Sequence, residues 1–207
     1  MGAILRRPAL GFVIKIMKNR CSDTRNWFVM QGWAIKLPGL LLLWLVAGWQ
    51  SAVAYELNGK VVSVADGDTI NVRDAGRNYR IRLASIDAPE KGNGGKQPGQ
   101  PYGEAARRFL ADQVAGQTVT LKCFEEDRFG RHICDVVLGD VTANQLLVYA
   151  GMAWANRQGK DKYLRDRRLL ALQDDARANK RGLWAEPAPV APWVWRYQCW
   201  RQGQCGK

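Results

Sequence analysis

Short alternating segments fill the middle of this chain, and they restrict its fold more than any other feature. Residues 57–64 and 69–73 read as strands around the turn Ala65-Asp66-Gly67-Asp68, where glycine supplies a permissive backbone. In residues 78–86, Tyr79, Ile81, Leu83 and Ser85 alternate with Arg80, Arg82 and Ala84, which predicts the third strand of a meander. Residues 91–101 are polar, hold several Gly and Pro and lack periodicity, so they predict a loop. A helix is expected over 104–114, where Ala105 and Phe109, and Ala106 and Leu110, share a side and Gly116 is the stop. Two more strands follow at 118–124 and 132–138, then helices at 143–149, stopped by Gly151, and 163–179, closed by Gly182. Five short strands leave exposed edges unless the sheet closes on itself. The expected fold is therefore α+β, mainly β: a five-stranded OB-type barrel with three helices. The tail from Pro187 carries Pro189, Pro192, Trp193, Trp195 and Trp200. It reads as extended, with its tryptophans packed on the barrel or on a partner.

The chain of 207 residues divides before the barrel begins. Residues 37–48 form an apolar run preceded by Lys36 and followed by Gln50, Ser51 and the small-x-small triplet Ala52-Val53-Ala54. That is the order of a cleavable secretory signal, and the run falls short of the roughly 20 apolar residues that span a bilayer. The competing reading is an uncleaved anchor. Residues 1–54 are thus expected to be a leader and signal, with Met17 and Met30 as alternative starts, 55–186 the folded domain and 187–207 the tail. The leader holds seven Lys and Arg against one Asp, so the remainder carries 24 basic and 18 acidic residues. A surplus of about six positive charges favours polyanions without naming one. The expected location is the periplasm or the exterior, with no stable membrane association after cleavage and a monomeric state.

Export places the cysteines beyond the signal in an oxidising compartment. Cys123, Cys134, Cys199 and Cys205 allow three pairings, and free buried thiols are also compatible with the sequence. Cys123 with Cys134 is attractive because both fall on strands flanking one short connection, which leaves Cys199 with Cys205 to close a small loop. A zinc site is disfavoured, since no Cys-x-x-Cys occurs and His132 is the lone histidine.

Three segments carry unusual chemistry, each where a strand meets a turn: Asp66-Gly67-Asp68-Thr69, Arg82 through Glu90, and Asp127-Arg128-Phe129-Gly130-Arg131. Singly they are a tight turn, a loop entering a helix and a solvated hairpin tip. Converged at one barrel rim, Asp68 and Asp87 would offer oxygen ligands to a hard cation such as calcium, leaving room for water and a phosphate. Arg82 and Arg131 would grip phosphate oxygens as the transition state gathers negative charge, and Glu90 would be the base that takes a proton from water.

The runs Val64 to Thr69, Ile81 to Glu90, Tyr102-Gly103-Glu104-Ala105, Asp127 to Arg131 and Gly182-Leu183-Trp184 together resemble the staphylococcal nuclease-like family, over roughly residues 57–186. The resemblance implies a five-stranded OB barrel with three helices that hydrolyses DNA and RNA with calcium. It implies Asp68, Asp87 and the carbonyl of Ala88 as calcium ligands, with Asp66 beside the metal. It further implies Arg82 and Arg131 as catalytic arginines, Glu90 as the glutamate usually drawn as general base, and Arg128 and Phe129 against the substrate. Ala88 stands where relatives often carry threonine and Phe129 where they often carry tyrosine, so two hydroxyls are missing while the carbonyl and the aromatic face remain. No tyrosine in residues 154–163 is matched to the family's nucleotide pocket, and the Ala191-to-Arg196 run is shared with many bacterial relatives but has no assigned role. The expected activity is a sugar-nonspecific endonuclease favouring single strands and leaving 3′-phosphates. The alternative is a nucleic-acid-binding OB module without catalysis.

Overall fold

The strands close because the last long one reaches back to pair with the third. In the computed structural model, which describes residues 54–95 and 97–205, β1 (Tyr55–Asp66), β2 (Thr69–Asp74) and β3 (Arg77–Leu83) form the antiparallel meander. β5 (Thr118–Glu126) then pairs with β1, and β6 (Arg131–Leu138) pairs with β5. Parallel pairing of β6 with β3, Arg80 opposite Arg131 through Leu83 opposite Cys134, closes the five-stranded barrel. Short strands β4 (Ile86–Asp87) and β8 (Trp154–Ala155) pair apart from it, and β7 (Val141–Thr142) extends the β6 edge.

Period-two alternation fills the interior. Val61, Ile70, Val72, Ile81, Leu83, Leu121 and Val136 are each at most 1% exposed. Helix α1 (Gly103–Val114) adds Ala106, Leu110 and Val114, and α2 (Ala143–Tyr149) adds Leu147 and Val148 to the same core. Each large side chain buried this way contributes about 1.5–3 kcal/mol before entropy is counted. The chain enters α2 through a reciprocal cap: the Thr142 hydroxyl accepts from the Gln145 backbone while the Gln145 side chain accepts from the Thr142 backbone. Helix α3 (Arg168–Ala178) packs against α2 and sends Leu169 into the core.

Both expected disulfides are present. Cys123 and Cys134 are register partners on β5 and β6 and are fully buried, whereas Cys199 and Cys205 close a loop in the tail.

Three expectations need correction. The strand expected over 78–86 stops at Leu83, because Ser85 takes a left-handed backbone at φ 64° and a new strand begins at Ile86. The helix expected from residue 163 begins only at Arg168, since the backbone N–H groups of Arg165 and Asp166 donate to the Ser85 hydroxyl instead. The tail is not extended. Proline at its first position starts a short helix, α4 (Pro192–Trp195), which runs into a π-helical turn over Arg196–Arg201. The described residues thus hold the three expected helices, this tail helix, a distorted turn at Gln158–Asp161 and a 3-10 helix at Gly182–Ala185. The apolar run 37–48 and Cys21 lie outside the described residues. Among those described, no helix is long and apolar enough to cross a membrane.

Two stability experiments follow from this architecture. Replacing Cys123 and Cys134 together by alanine should cost about 2–4 kcal/mol in urea denaturation, from lost chain constraint. Asp135 supplies a pH signature. Burial and the neighbouring Asp166 raise its carboxyl from 3.8 to about 6 in the folded chain. A raised carboxyl pKa means that the unfolded chain ionises first, so this group favours the fold below about pH 4 and loses that contribution as pH climbs to about 6. Asp135→Asn should therefore raise the melting temperature at pH 7 and have little effect at pH 4, as scanning calorimetry at the two pH values would show.

Candidate active site

The turn between β1 and β2 puts Asp68 at the barrel mouth because Gly67 lets the chain pass where no side chain fits. A Cβ on Gly67 would lie 2.7 Å from the Ala88 Cβ and 2.8 Å from the Ala106 Cβ. Asp68 is 2% exposed and fully hydrogen-bonded. Its Oδ2 accepts from the Ala88 N–H at 2.9 Å, and its Oδ1 accepts from Arg82 Nη1 at 2.8 Å and from the Thr69 hydroxyl at 3.0 Å.

Arg82 reaches the site from the end of β3, where Thr69 is its register partner. Its second nitrogen, Nη2, donates to Asp87 Oδ1 at 2.7 Å. One guanidinium therefore spans two buried carboxylates. Burial works against the charge on Arg82, but Asp68 and Asp87 outweigh it and raise its pKa further. Burial likewise works against an ionised Asp87, yet Arg82 and Arg196 hold its carboxyl below the ordinary range.

Asp87 is carried into place by the break at Ser85. The left-handed Ser85 is braced by the Asn156 N–H on its carbonyl, and Asn144 donates to the Ala84 carbonyl at 2.8 Å while accepting from the Val136 N–H at 3.1 Å. Pairing of Ile86-Asp87 with Trp154-Ala155 then fixes the strand that ends in Asp87. Glu90 follows three residues later. Its carbonyl accepts from the Gln100 N–H at 2.7 Å, and Gly103 packs so tightly there that a Cβ would lie 2.2 Å from that carbonyl oxygen. Burial and repulsion from Asp68 push the Glu90 carboxyl up to about 7, against the pull of Arg196. Asp66 is also raised, by burial and by Asp68, and its Oδ1 accepts from the N–H groups of Gly67 and Lys91.

Arg131 begins β6 on the same side of the barrel. Asp127 holds it through Nε at 2.8 Å and Nη2 at 2.7 Å, and also accepts from its N–H. Phe129 stands 65% exposed at the hairpin tip, with the guanidinium carbons of Arg128 and Arg131 4.7 and 5.4 Å from its ring centre. A cavity of about 930 Å³ joins these parts, with Asp66, Asp68, Arg82, Glu90, Arg128, Phe129 and Arg131 in its walls.

The structure thus brings Asp66, Asp68, Arg82, Asp87, Ala88 and Glu90 into one network and sets Arg128, Phe129 and Arg131 around the same cavity. It also adds residues that sequence reading missed. Tyr163, half-exposed, and Arg165 line the cavity wall. Arg196 of the tail bonds both Asp87 and Glu90. For Arg196 the available signal was the Ala191-to-Arg196 run, which stood out in the sequence without a role.

A closed five-stranded barrel with a carboxylate and arginine cluster at its mouth defines a nucleic-acid hydrolase of the OB type. The chain belongs to the staphylococcal nuclease homologue family, whose sequence profile matches residues 80–186. It is 42% identical over 158 residues to a protein of Escherichia coli O157:H7 named "Uncharacterized endonuclease", a match covering 76% of this chain and 95% of that one. It is 38% identical over 151 residues to the "Micrococcal nuclease" of Shigella flexneri, covering 68% and 81% of the two chains. A Haemophilus influenzae protein, also named "Uncharacterized endonuclease", is 36% identical over 166 residues, covering 79% and 85%.

The two arginines should differ sharply in their effect on stability. Arg82→Met leaves the buried Asp68 without its ion partner and Asp87 with Arg196 alone, and should cost about 3–5 kcal/mol. Arg131→Ala opens a partly exposed pair with Asp127 and should cost about 1 kcal/mol or less. Urea denaturation of the two variants beside wild type measures both.

Proposed function

We propose that this nuclease-family hydrolase is an exported, calcium-dependent endonuclease that cuts phosphodiesters of DNA and RNA, favours single strands and leaves 3′-phosphates. The observation that carries this reading is the largely enclosed network of Asp68, Arg82, Asp87 and Glu90, which opens on a cavity that Arg131 and Phe129 also line.

The donor set fits a hard cation. Carboxylates dominate the site, and oxygen is the ligand that calcium takes. Among the described residues no three His, Cys, Asp or Glu side chains form a metal cage by themselves. That suits a site in which Asp68, Asp87 and the carbonyl of Ala88 share the ion with water and a substrate phosphate. When bound, calcium would supply charge neutralisation at the phosphate and a more acidic water.

The protein's own groups do the rest. Arg82, held by two carboxylates, and Arg131, held by Asp127, present planar donors to phosphate oxygens and grow more favourable as those oxygens gain charge. Glu90, with its carboxyl raised to about 7, is a base whose affinity for a proton is matched to neutral pH. Phe129 and Tyr163 offer flat faces to unpaired bases, with Arg128 and Arg165 along the strand's backbone. A binding module without catalysis is disfavoured, because buried carboxylates repel phosphate and serve a binder no purpose.

Export is supported by the cleavable apolar run in the 1–54 leader, which precedes the folded domain 55–186 and the tail 187–207, and by two disulfides. We expect a monomer without stable membrane association.

Digestion of single-stranded DNA by the purified protein, with calcium or with a chelator, tests the assignment. Calcium-dependent fragments bearing 3′-phosphate are expected, with Glu90→Gln and Arg131→Ala slower by about a hundredfold or more while still folded. Wild-type turnover in a folded Arg131→Ala protein would remove the phosphate clamp. Binding without cleavage under both conditions would make the protein a nucleic-acid-binding barrel.

A further inference from the structure

Arg196 lies 109 residues along the chain from Asp87, yet its guanidinium is seated in the carboxylate cluster. Nη2 donates to Asp87 Oδ2 at 2.7 Å, Nη1 donates to Asp87 Oδ1 at 3.1 Å, and Nη1 also bonds Glu90 Oε1. The seat is built by the whole tail. Trp195 and Trp200 both donate their indole N–H to the Pro98 carbonyl, at 3.4 and 3.0 Å, and Trp193 packs edge-on against Trp154. Cys199 is 2% exposed and tied to Cys205. The tail is a strap docked over the 91–101 loop, and Arg196 is the side chain that it delivers.

The charge count makes this delivery consequential. Asp68, Asp87 and Glu90, the carboxylates bonded to Arg82 or Arg196, carry three negative charges when ionised, and Arg82 supplies one compensating positive charge. The two charges left over match a divalent cation. With Arg196 in place, only one is left. Arg82 cannot leave, because its backbone is locked in β3 between β2 and β6. Arg196 can, because its element is in none of the strand pairings that build the barrel and is held by side-chain bonds to Asp87, Glu90 and the Pro98 carbonyl. Its side chain is also more exposed than that of Arg82, 29% against 16%.

We propose that Arg196 is a built-in competitor of the divalent cation: it occupies the oxygens of Asp87 and Glu90 until the ion displaces it, and so sets the cation concentration at which the site loads. This rests on the reading of Asp68 and Asp87 as cation ligands given above. Exchange also keeps a second positive charge beside Asp87 next to that of Arg82, since one cation departs as the other arrives. Loading therefore loosens the strap.

Calcium titration of the purified protein by isothermal calorimetry tests this directly. Arg196→Gln should bind calcium about tenfold or more tightly than wild type. Arg196→Lys, whose point charge cannot bridge both carboxylates, should gain a smaller factor. Arg108→Gln, a change of equal charge at an exposed site on α1, should stay within about twofold. Addition of calcium to wild type should shift tryptophan emission and open the tail to trypsin at Arg196 and Arg201. If the glutamine variant fails to fold, the lysine variant carries the comparison. Calcium affinity unchanged or weaker in the Arg196 variants would overturn the competitor role and leave the nuclease assignment standing. Absence of calcium binding in every protein would overturn the cation-ligand reading itself, and the competitor role with it.

Discussion

The structure depends on one largely enclosed guanidinium held between two buried carboxylates. Arg82 joins Asp68, from the turn after β1, to Asp87, from the strand beyond β3, at 2.8 and 2.7 Å. Neither carboxylate would remain ionised at this depth alone, because transfer of a lone charge from water costs far more than the fold can supply. The pairing is therefore a condition of having acidic oxygens here at all. It also dictates the backbone around it. Asp68 must sit in a turn tight enough to need Gly67, and Asp87 must be turned inward by the left-handed Ser85.

These backbone devices connect the chemistry to the core. Asn144, 1% exposed at the start of α2, bonds both β6 and the carbonyl of Ala84, so the helix that completes the hydrophobic core also braces the bend that aims Asp87. Ser85 gives its hydroxyl to the N–H groups of Arg165 and Asp166, which brings the segment before α3 over the same bend. The cavity-lining Arg131 and Phe129 stand instead on and beside the hairpin between β5 and β6, where Asp127 holds the Arg131 guanidinium. That separation sets the rigid charged groups on the strands and turns and the more exposed ones on a loop.

The sequence made the barrel legible because alternation survives in all five strands, and it made the charged cluster legible because Asp68, Arg82, Asp87 and Glu90 lie in two short, unusual segments. What it concealed has a common cause. The break at Ser85 is enforced by partners 60 to 81 residues away, and local alternation through Ser85 gives no sign of them. The delayed start of α3 has the same origin, since residues 163–167 have helical composition but the N–H groups of Arg165 and Asp166 are claimed by Ser85. The tail misled in another way. Its prolines suggest an extended chain, but Pro192 falls at the first position of a helix, where a missing N–H costs nothing. Arg196 could not be found from the sequence by spacing, because its partners lie about a hundred residues upstream.

The two departures from the family pattern bear on how the site tolerates change. Ala88 is 2% exposed, and its contact with Asp68 is made by the backbone N–H, so the carboxylate is held whatever the side chain carries. The methyl group faces Gly67 closely enough that added bulk would have to point elsewhere. Phe129 is in the opposite situation: it is exposed and its ring is flanked by Arg128 and Arg131, so its aromatic face remains available without the phenol oxygen. Both positions lost a hydroxyl that the electrostatic network does not use. Arg82 is the contrary case, because its two nitrogens serve two acids at once and a lysine, with a single charged nitrogen, could not reproduce that fork.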